Sequence, residues 1–206
     1  TFVWFPALFT VVLSFTNWDG IGALRDITFN GLQNYIDIAT IYPPFWPAMW
    51  HNVLWLVGLF LVFTPLGMFL AVLLDKEIRA SRFYQTSFYL PVVLSAALIG
   101  FMWQLMYSRD QGLLNMLFGT QIDWYGDPSI NLWAAIVASG WRHTGYVMLL
   151  YLAGLKGVDP SLREAAQMDG ANQFQTYVRI VFPVMRPINI IVMTITFIEG
   201  LRAFDL

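Results

Sequence analysis

Two sets of residues in this chain of 206 have types and spacing that suit more than folding. The first is Trp141-Arg142-His143-Thr144 with Tyr146, joined further along by Glu199 and Arg202, all set in otherwise apolar stretches. Ionisable groups in such surroundings are costly, and where they persist they line a cavity for a polar ligand or pair with each other. Glu199 and Arg202 stand three apart, within pairing reach on one helical face, so both readings stay open. The second set is Glu164-Ala165-Ala166 followed by Gly170, Ile180 and Pro183. Other chemistries fail at the outset. No G-x-x-x-x-G-K-[ST] phosphate loop is present, so the chain should not hydrolyse ATP. His51 and His143 are the only histidines and lack H-E-x-x-H spacing, no G-x-S-x-G turn occurs, and there are no cysteines. No metal site, catalytic residue or cofactor is expected.

The elements that must carry these residues follow from where charge is missing. Apolar residues make up 58% of the chain and charged residues 12%, half the share usual in soluble domains, with mean hydropathy +0.59. That excludes disorder. A formal charge of −2 with no basic cluster argues against nucleic acid as a partner. No Asp, Glu, Lys or Arg occurs over 1–18, 38–74 or 83–108, Arg142 stands alone in 128–155, and 187–198 is again free of charge. A spanning helix needs about 20 apolar residues, so the windows predict helices at 2–16, 52–74, 86–107, 132–154 and 187–204. The fold class is all-α, a polytopic helical membrane protein. Pro65 and Pro91 predict kinks within the second and third spans, because intramembrane prolines are tolerated when neighbours satisfy the freed carbonyls. Gly58, Gly67, Gly100, Gly140 and Gly145 predict close helix crossings.

Lys76, Arg79 and Arg82 in 75–85, with Lys156, Arg163, Arg179 and Arg186 in 155–186, set seven basic residues against Arg25 and Arg109 in 17–51 and 108–131. The positive-inside rule therefore puts 75–85 and 155–186 in the cytoplasm and 17–51 and 108–131 outside. Tyr42, Trp46 and Trp50 read as an interfacial belt or as a docking surface for an outside partner. Segment 155–186 is too polar to span. Asp159-Pro160-Ser161 starts a helix over about 161–168, Ser161 and Glu164 have capping-box spacing, Gly170 permits a turn, and a second helix over about 172–181 runs toward Pro183. The expected unit is one membrane domain over 1–206, an internal piece of a longer protein, with 155–186 a helix–turn–helix on its cytoplasmic face.

The spacing EAA, three residues, Gly, nine residues, Ile, one residue, then an apolar residue and Pro resembles the EAA motif of ABC-importer permease subunits, with Phe182 where leucine is usual. Phe29-Asn30-Gly31-Leu32-Gln33-Asn34-Tyr35, Gly112-Leu113-Leu114-Asn115 and Phe204-Asp205-Leu206 look like the carbohydrate-uptake group (MalF-like, UgpA-like). The resemblance implies a MetI-like transmembrane domain with five of about six spans present. Glu164, Ala165, Ala166, Asp169 and Gly170 would dock on a cytoplasmic ATPase, a helix-in-groove contact. The implied partners are a second homologous permease, two ATPase copies, an extracellular or periplasmic solute-binding protein, the lipid bilayer of a prokaryotic plasma (inner) membrane, and a sugar or sugar derivative. Sugars are held by aromatic faces and hydrogen-bonding side chains, which makes Trp141, Arg142, His143, Tyr146, Glu199 and Arg202 candidates for the substrate site. The competing class is a passive channel or structural subunit. The docking motif discriminates, since a channel has no need of one.

Overall fold

A computed structural model describes residues 2–21, 27–76 and 79–202. Arg25 and Phe204-Asp205-Leu206 lie outside the described residues. The helices in chain order are α1 (Trp4–Leu13), α2 (Gln33–Thr40), α3 (Phe45–Asp75), α4 (Ser81–Val93), α5 (Ala96–Met106), α6 (Leu113–Phe118), α7 (Asn131–Lys156), α8 (Pro160–Met168), α9 (Gln173–Val184) and α10 (Arg186–Leu201). Among the described residues the only extended pairing is one antiparallel bridge, Thr16–Phe29, so the class is all-α as expected. The chain divides into two compact units, Thr1–His51 and Asn52–Leu206.

Within the first unit, Asn34 of the Phe29–Tyr35 motif closes the end of α1. Its Nδ2 donates to the carbonyls of Ser14 and Thr16 at 2.9 and 2.6 Å. Side-chain capture of these carbonyls satisfies acceptors that the helix end would otherwise leave orphaned.

In the second unit α3 packs most extensively on α7, which supplies more buried residues than any other helix. The core runs through Ala71, Leu74, Val147, Met148, Tyr151 and Leu155, and reaches Val181, Met185 and Val192. The crossing is close because small residues face it. A Cβ on Gly67 would stand 2.8 Å from the Thr144 carbonyl oxygen and 2.9 Å from Val147. Gly140 lies against the Phe63 ring, Gly145 against the Phe88 carbonyl and Gly58 against Ile136. Gly100 meets nothing within 4 Å, so of the five glycines it alone is not at a crossing.

Three expectations are corrected. The second helix begins at Phe45 rather than 52, taking in Trp46 and Trp50, since Pro47 is tolerated in a first turn. The third span is not one kinked helix. Pro91 stays inside α4, but Leu94 turns extended (ψ 145°) and Ser95 caps a new helix, its Oγ accepting from the Leu98 N–H, so α4 and α5 are bent by 104°. Third, among the described residues only α3 is long and apolar enough to cross a membrane by itself. The pairs α4/α5 and α9/α10 qualify when each is counted as one bent span. Helix α7 has the length, 26 residues, but carries Arg142, His143 and Thr144 at its centre, the last two buried within the chain.

Pro65 is accommodated by a π-helical turn, Leu59–Phe63, just before it, in which the Thr64 N–H bonds the Leu59 carbonyl. Proline clashes with the carbonyl four residues back, and widening the turn relieves the clash. The same device precedes Pro183, where Tyr177–Val181 is π-helical and the Phe182 N–H reaches the Tyr177 carbonyl.

Candidate functional site

The sequence candidates fall into two places, a cavity among α3, α4, α7 and α10 and the segment formed by α8 and α9. The cavity, about 240 Å³, is walled by Arg142, His143, Tyr146 and Glu199, with Ser139 and the apolar Leu59 and Ile195. Helical geometry explains the grouping. Ser139, Arg142, His143 and Tyr146 recur at three- and four-residue steps on one face of α7, and Ile195 and Glu199 do so on α10. The lining holds one cation, Arg142, and one anion, Glu199, around neutral hydrogen-bonding groups.

Two candidates lie elsewhere. Trp141 points about a quarter-turn from Arg142 on α7; its ring meets Trp103 edge-on, centroids 5.9 Å apart, outside the cavity lining. Arg202 follows the end of α10 as its C-cap, so the three-residue step from Glu199 no longer runs on a continuing helix.

His143 is fixed by residues that sequence reading passed over. Its Nε2 lies 3.2 Å from Thr64 Oγ1 and 3.1 Å from Thr196 Oγ1, and the two hydroxyls are 3.4 Å apart. All three side chains are buried, and they come from α3, α7 and α10. One imidazole and two hydroxyls thus hold three helices together beside the cavity. The separations along the chain, 79 and 53 residues, leave no local signal from which to find them.

Segment 155–186 forms the expected helix–turn–helix with one change at its start. Asp159, not Ser161, is the N-cap of α8, and its Oδ1 accepts the Ser161 N–H at 2.9 Å. Pro160 at the first helical position sets φ for the start and places the acceptor at Asp159. The backbone and side-chain hydrogen bonds from Ser161 hold the Asp159 carboxyl below the usual carboxylate range. The capping box forms instead at the second helix, where Asn172 and Gln175 exchange reciprocal 2.9 Å bonds. Between the helices Gly170 has φ +80°. Its N–H bonds the Gln167 carbonyl and the Ala171 N–H bonds the Ala166 carbonyl, the Schellman pattern that requires a left-handed residue at Gly170.

Glu164, Ala165, Met168 and Asp169 form the outward face of α8, while Ala166 is buried against the chain itself. The segment is moored by an acidic residue absent from the sequence-based set. Asp75, at the end of α3, receives Arg163 Nη1 at 2.7 Å and Lys156 Nζ at 3.5 Å, and Lys76 Nζ donates to Gln173 Oε1 at 3.0 Å. In α6, Asn115 of the Gly112–Asn115 motif is buried as a hub. It donates to three backbone carbonyls and accepts from Thr120, Ile122 and Trp124.

Comparison with known proteins places this architecture. Residues 21–206 match the family model described as binding-protein-dependent transport system inner membrane component. The chain is 36% identical over 200 residues to the xylose/arabinose import permease protein XacH of Haloferax volcanii, covering 95% of this chain and 62% of that protein. It is 33% identical to the osmoprotective compounds uptake permease protein GgtC of Synechocystis sp., covering 98% and 73%. The crystal structure of a bacterial ABC transporter that imports the acidic polysaccharide alginate superposes with a TM-score of 0.77 at 20% identity, over 95% of this chain and 66% of that one. The chain thus spans about two thirds of the length of the curated relatives it matches.

Proposed function

The chain belongs to the family of binding-protein-dependent transport system inner membrane components, and from that premise we propose that it is a permease subunit of an ATP-driven importer of a sugar or sugar derivative. It forms half of a translocation pathway with a second, related permease. ATP hydrolysis takes place on two copies of a separate cytoplasmic subunit, and a solute-binding protein delivers substrate from outside. The loops 75–85 and 155–186 face the cytoplasm, while 17–51 and 108–131 face outward.

The observation that carries this reading is the outward face of α8, Glu164, Ala165, Met168 and Asp169, on a helix whose direction is fixed at both ends. Asp159 caps its start, the Gly170 turn ends it, and the Arg163–Asp75 ion pair moors it to the end of a membrane-length helix. A short rigid helix so attached transmits a push from a partner groove into the spans. Helices α3, α7 and α10 meet at the cavity, so a tilt of α3 reaches the residues that touch substrate. Arg142, His143, Tyr146 and Glu199 supply donors and acceptors to polar substrate groups. Their compensating charges suit a neutral sugar better than a phosphorylated one, which calls for excess positive charge. The import of xylose/arabinose named for one relative supports the substrate class.

The test is ATPase stimulation in the reconstituted complex, loaded binding protein included, against a panel of sugars. A carbohydrate is expected to stimulate, and Tyr146→Phe and Glu199→Gln are expected to weaken the response chiefly through the substrate concentration required. A response to amino acids or oxyanions and to no carbohydrate overturns the substrate class. Purification without an ATPase or second permease overturns the subunit assignment.

A further inference from the structure

A second cavity, about 570 Å³, lies between the far end of α3 and the α8–α9 segment. One wall is Met68, Phe69 and Val72 on α3, and the facing wall is Phe174, Tyr177 and Val181 on α9. Along α3 the lining turns from apolar at Met68 to polar at Asp75 and Lys76, a change completed over about 12 Å of helix. Lys76, Gln173 and Arg163 form the polar mouth, bridged by the Lys76–Gln173 bond. The charge at that mouth is unbalanced. Asp75 is shared by Arg163 and Lys156, Lys76 adds a third cation, and exposed Arg79 and Arg82 follow in the sequence against the single carboxylate of Glu77. Two polar atoms of residues in the lining, the Tyr177 hydroxyl and Arg163 Nε, are buried with no hydrogen-bond partner.

Depth identifies the occupant. Helix α3 has 31 residues, about 46 Å, against a hydrocarbon core of about 30 Å, so with 155–186 on the cytoplasmic side it is long enough for its last turns to reach the headgroup layer. The groove therefore crosses the boundary between acyl chain and headgroup, apolar on one side and cationic on the other. Basic pockets between spans on the cytoplasmic side suit anionic headgroups. We propose that this groove binds an anionic phospholipid of the cytoplasmic leaflet, one acyl chain lying on Met68, Phe69 and Val72 and the phosphate held at Lys76 and Arg163. Because one wall of the groove is α9, the bound lipid braces the segment that docks the ATPase, and coupling depends on it. The inference rests on the cytoplasmic placement of 155–186 proposed above.

The test uses the assembled complex, delipidated and placed in nanodiscs of phosphatidylcholine alone or mixed with phosphatidylglycerol, with inorganic phosphate as the free-anion arm. Thermal unfolding and sugar-stimulated ATPase are read in parallel. Phosphatidylglycerol is expected to raise the unfolding midpoint and the ratio of stimulated to basal ATPase, and phosphate is expected to do neither. Lys76→Gln, an exposed change that spares the fold, should weaken the apparent affinity for phosphatidylglycerol about fivefold. Val72→Trp, which fills the apolar end, should abolish the response. An unchanged phosphatidylglycerol response in both variants overturns the proposal. So does reproduction of the response by phosphate, or a Val72→Trp complex that loses its second permease while keeping the lipid response, which would make the groove a protein interface. Absence of sugar stimulation in every lipid, with the unfolding shift intact, counts against the transport reading and leaves the lipid site standing.

Discussion

Gly170 isolates the backbone's contribution to the coupling proposed above. A methyl group built on it would meet nothing within 4 Å, so no neighbour opposes a side chain there. Its φ of +80° does oppose one. An L-residue in the left-handed region costs about 1–2 kcal/mol, and asparagine less, because its short polar side chain tolerates that region. At about 1.4 kcal/mol per factor of ten, alanine should lower the population of the Schellman turn about 5- to 30-fold relative to glycine. Helix α8 stays moored through Arg163 to Asp75, so the loss appears as misdirection of the segment rather than unfolding. The expected order of coupling is Gly, then Asn, then Ala, then Val, the β-branched residue being worst. Coupling is measured as the ratio of sugar-stimulated to basal ATPase together with uptake into proteoliposomes, and membrane insertion is expected to be unaffected. Gly170→Asp separates charge from geometry, since it shares asparagine's backbone tolerance. Coupling in the alanine and valine variants equal to wild type refutes the argument. An asparagine variant as poor as valine also refutes it, since the defect would then lie in a clash with the ATPase groove.

Three further outcomes follow from the geometry. Thr64→Val and Thr196→Val each leave His143 Nε2 one hydroxyl, whereas the double variant leaves it none. The double should therefore destabilise by more than the sum of the singles, by about 1–3 kcal/mol for the orphaned group, and an additive cycle in thermal or denaturant unfolding refutes the shared bond. Asp75→Asn removes the carboxylate between Arg163 and Lys156, and with charged hydrogen bonds worth about 1.5–3 kcal/mol it should lower the unfolding midpoint by several degrees and weaken coupling; no change in either refutes the mooring role. The carboxyl of Asp159 is held below its usual range, so its cap stabilises α8 above the unfolded carboxylate value and is lost as pH falls through the lower folded value. Protection of 160–168 from hydrogen exchange should therefore decline below about pH 4 in wild type but stay level in Asp159→Asn, whose amide oxygen accepts the same bond; equal declines refute the assignment.

The legible part of this chain was whatever a local rule controls. Gaps in charge placed the long helices, since no residue within them needed a distant partner to declare its environment. The turn at Gly170 and the start near Asp159 were legible because caps and left-handed turns are satisfied within a few residues. The cavity face of α7 was half legible. Arg142, His143 and Tyr146 share a face by helical spacing alone, but the same run of polar residues carried Trp141, which the quarter-turn per residue sends to Trp103. What could not be read was pairing across the fold. Asp75 looked like the end of an apolar window until it met Arg163, 88 residues away, and Thr64 looked like an unremarked residue before a proline until it met His143. The break at Ser95 is not announced by Pro91, which stays inside α4; it comes from the extended Leu94 and the cap that Ser95 gives α5.

The π turn before Pro65 explains why helical periodicity alone does not give the buried face of α3. Its buried positions in the second unit are Trp55, Leu59, Thr64, Gly67, Ala71 and Leu74. The steps are four, then five, then three, four and three, and the five falls at the π turn before Pro65. A regular α-helix carried on from Leu59 would bury Val62 or Phe63 next and turn Thr64 away by about 100° per residue. The extra residue resets the phase, so that Thr64 faces His143 and Gly67 faces Thr144 at the crossing with α7. In α9 the buried residues are Thr176, Val181 and then Met185 beyond its end, again with a step of five where the π turn precedes Pro183. The prolines thus do more than bend these helices. Each forces a wide turn upstream, and that turn selects which face of the following helix meets the core. In α3 the selected face carries the hydroxyl that holds the cavity's imidazole, and beyond the turn in α9 it carries Met185 into the core. Replacing either proline with alanine lets the helix revert to α geometry and slip by a residue. The functional cost then comes from the rotated face rather than from a lost bend.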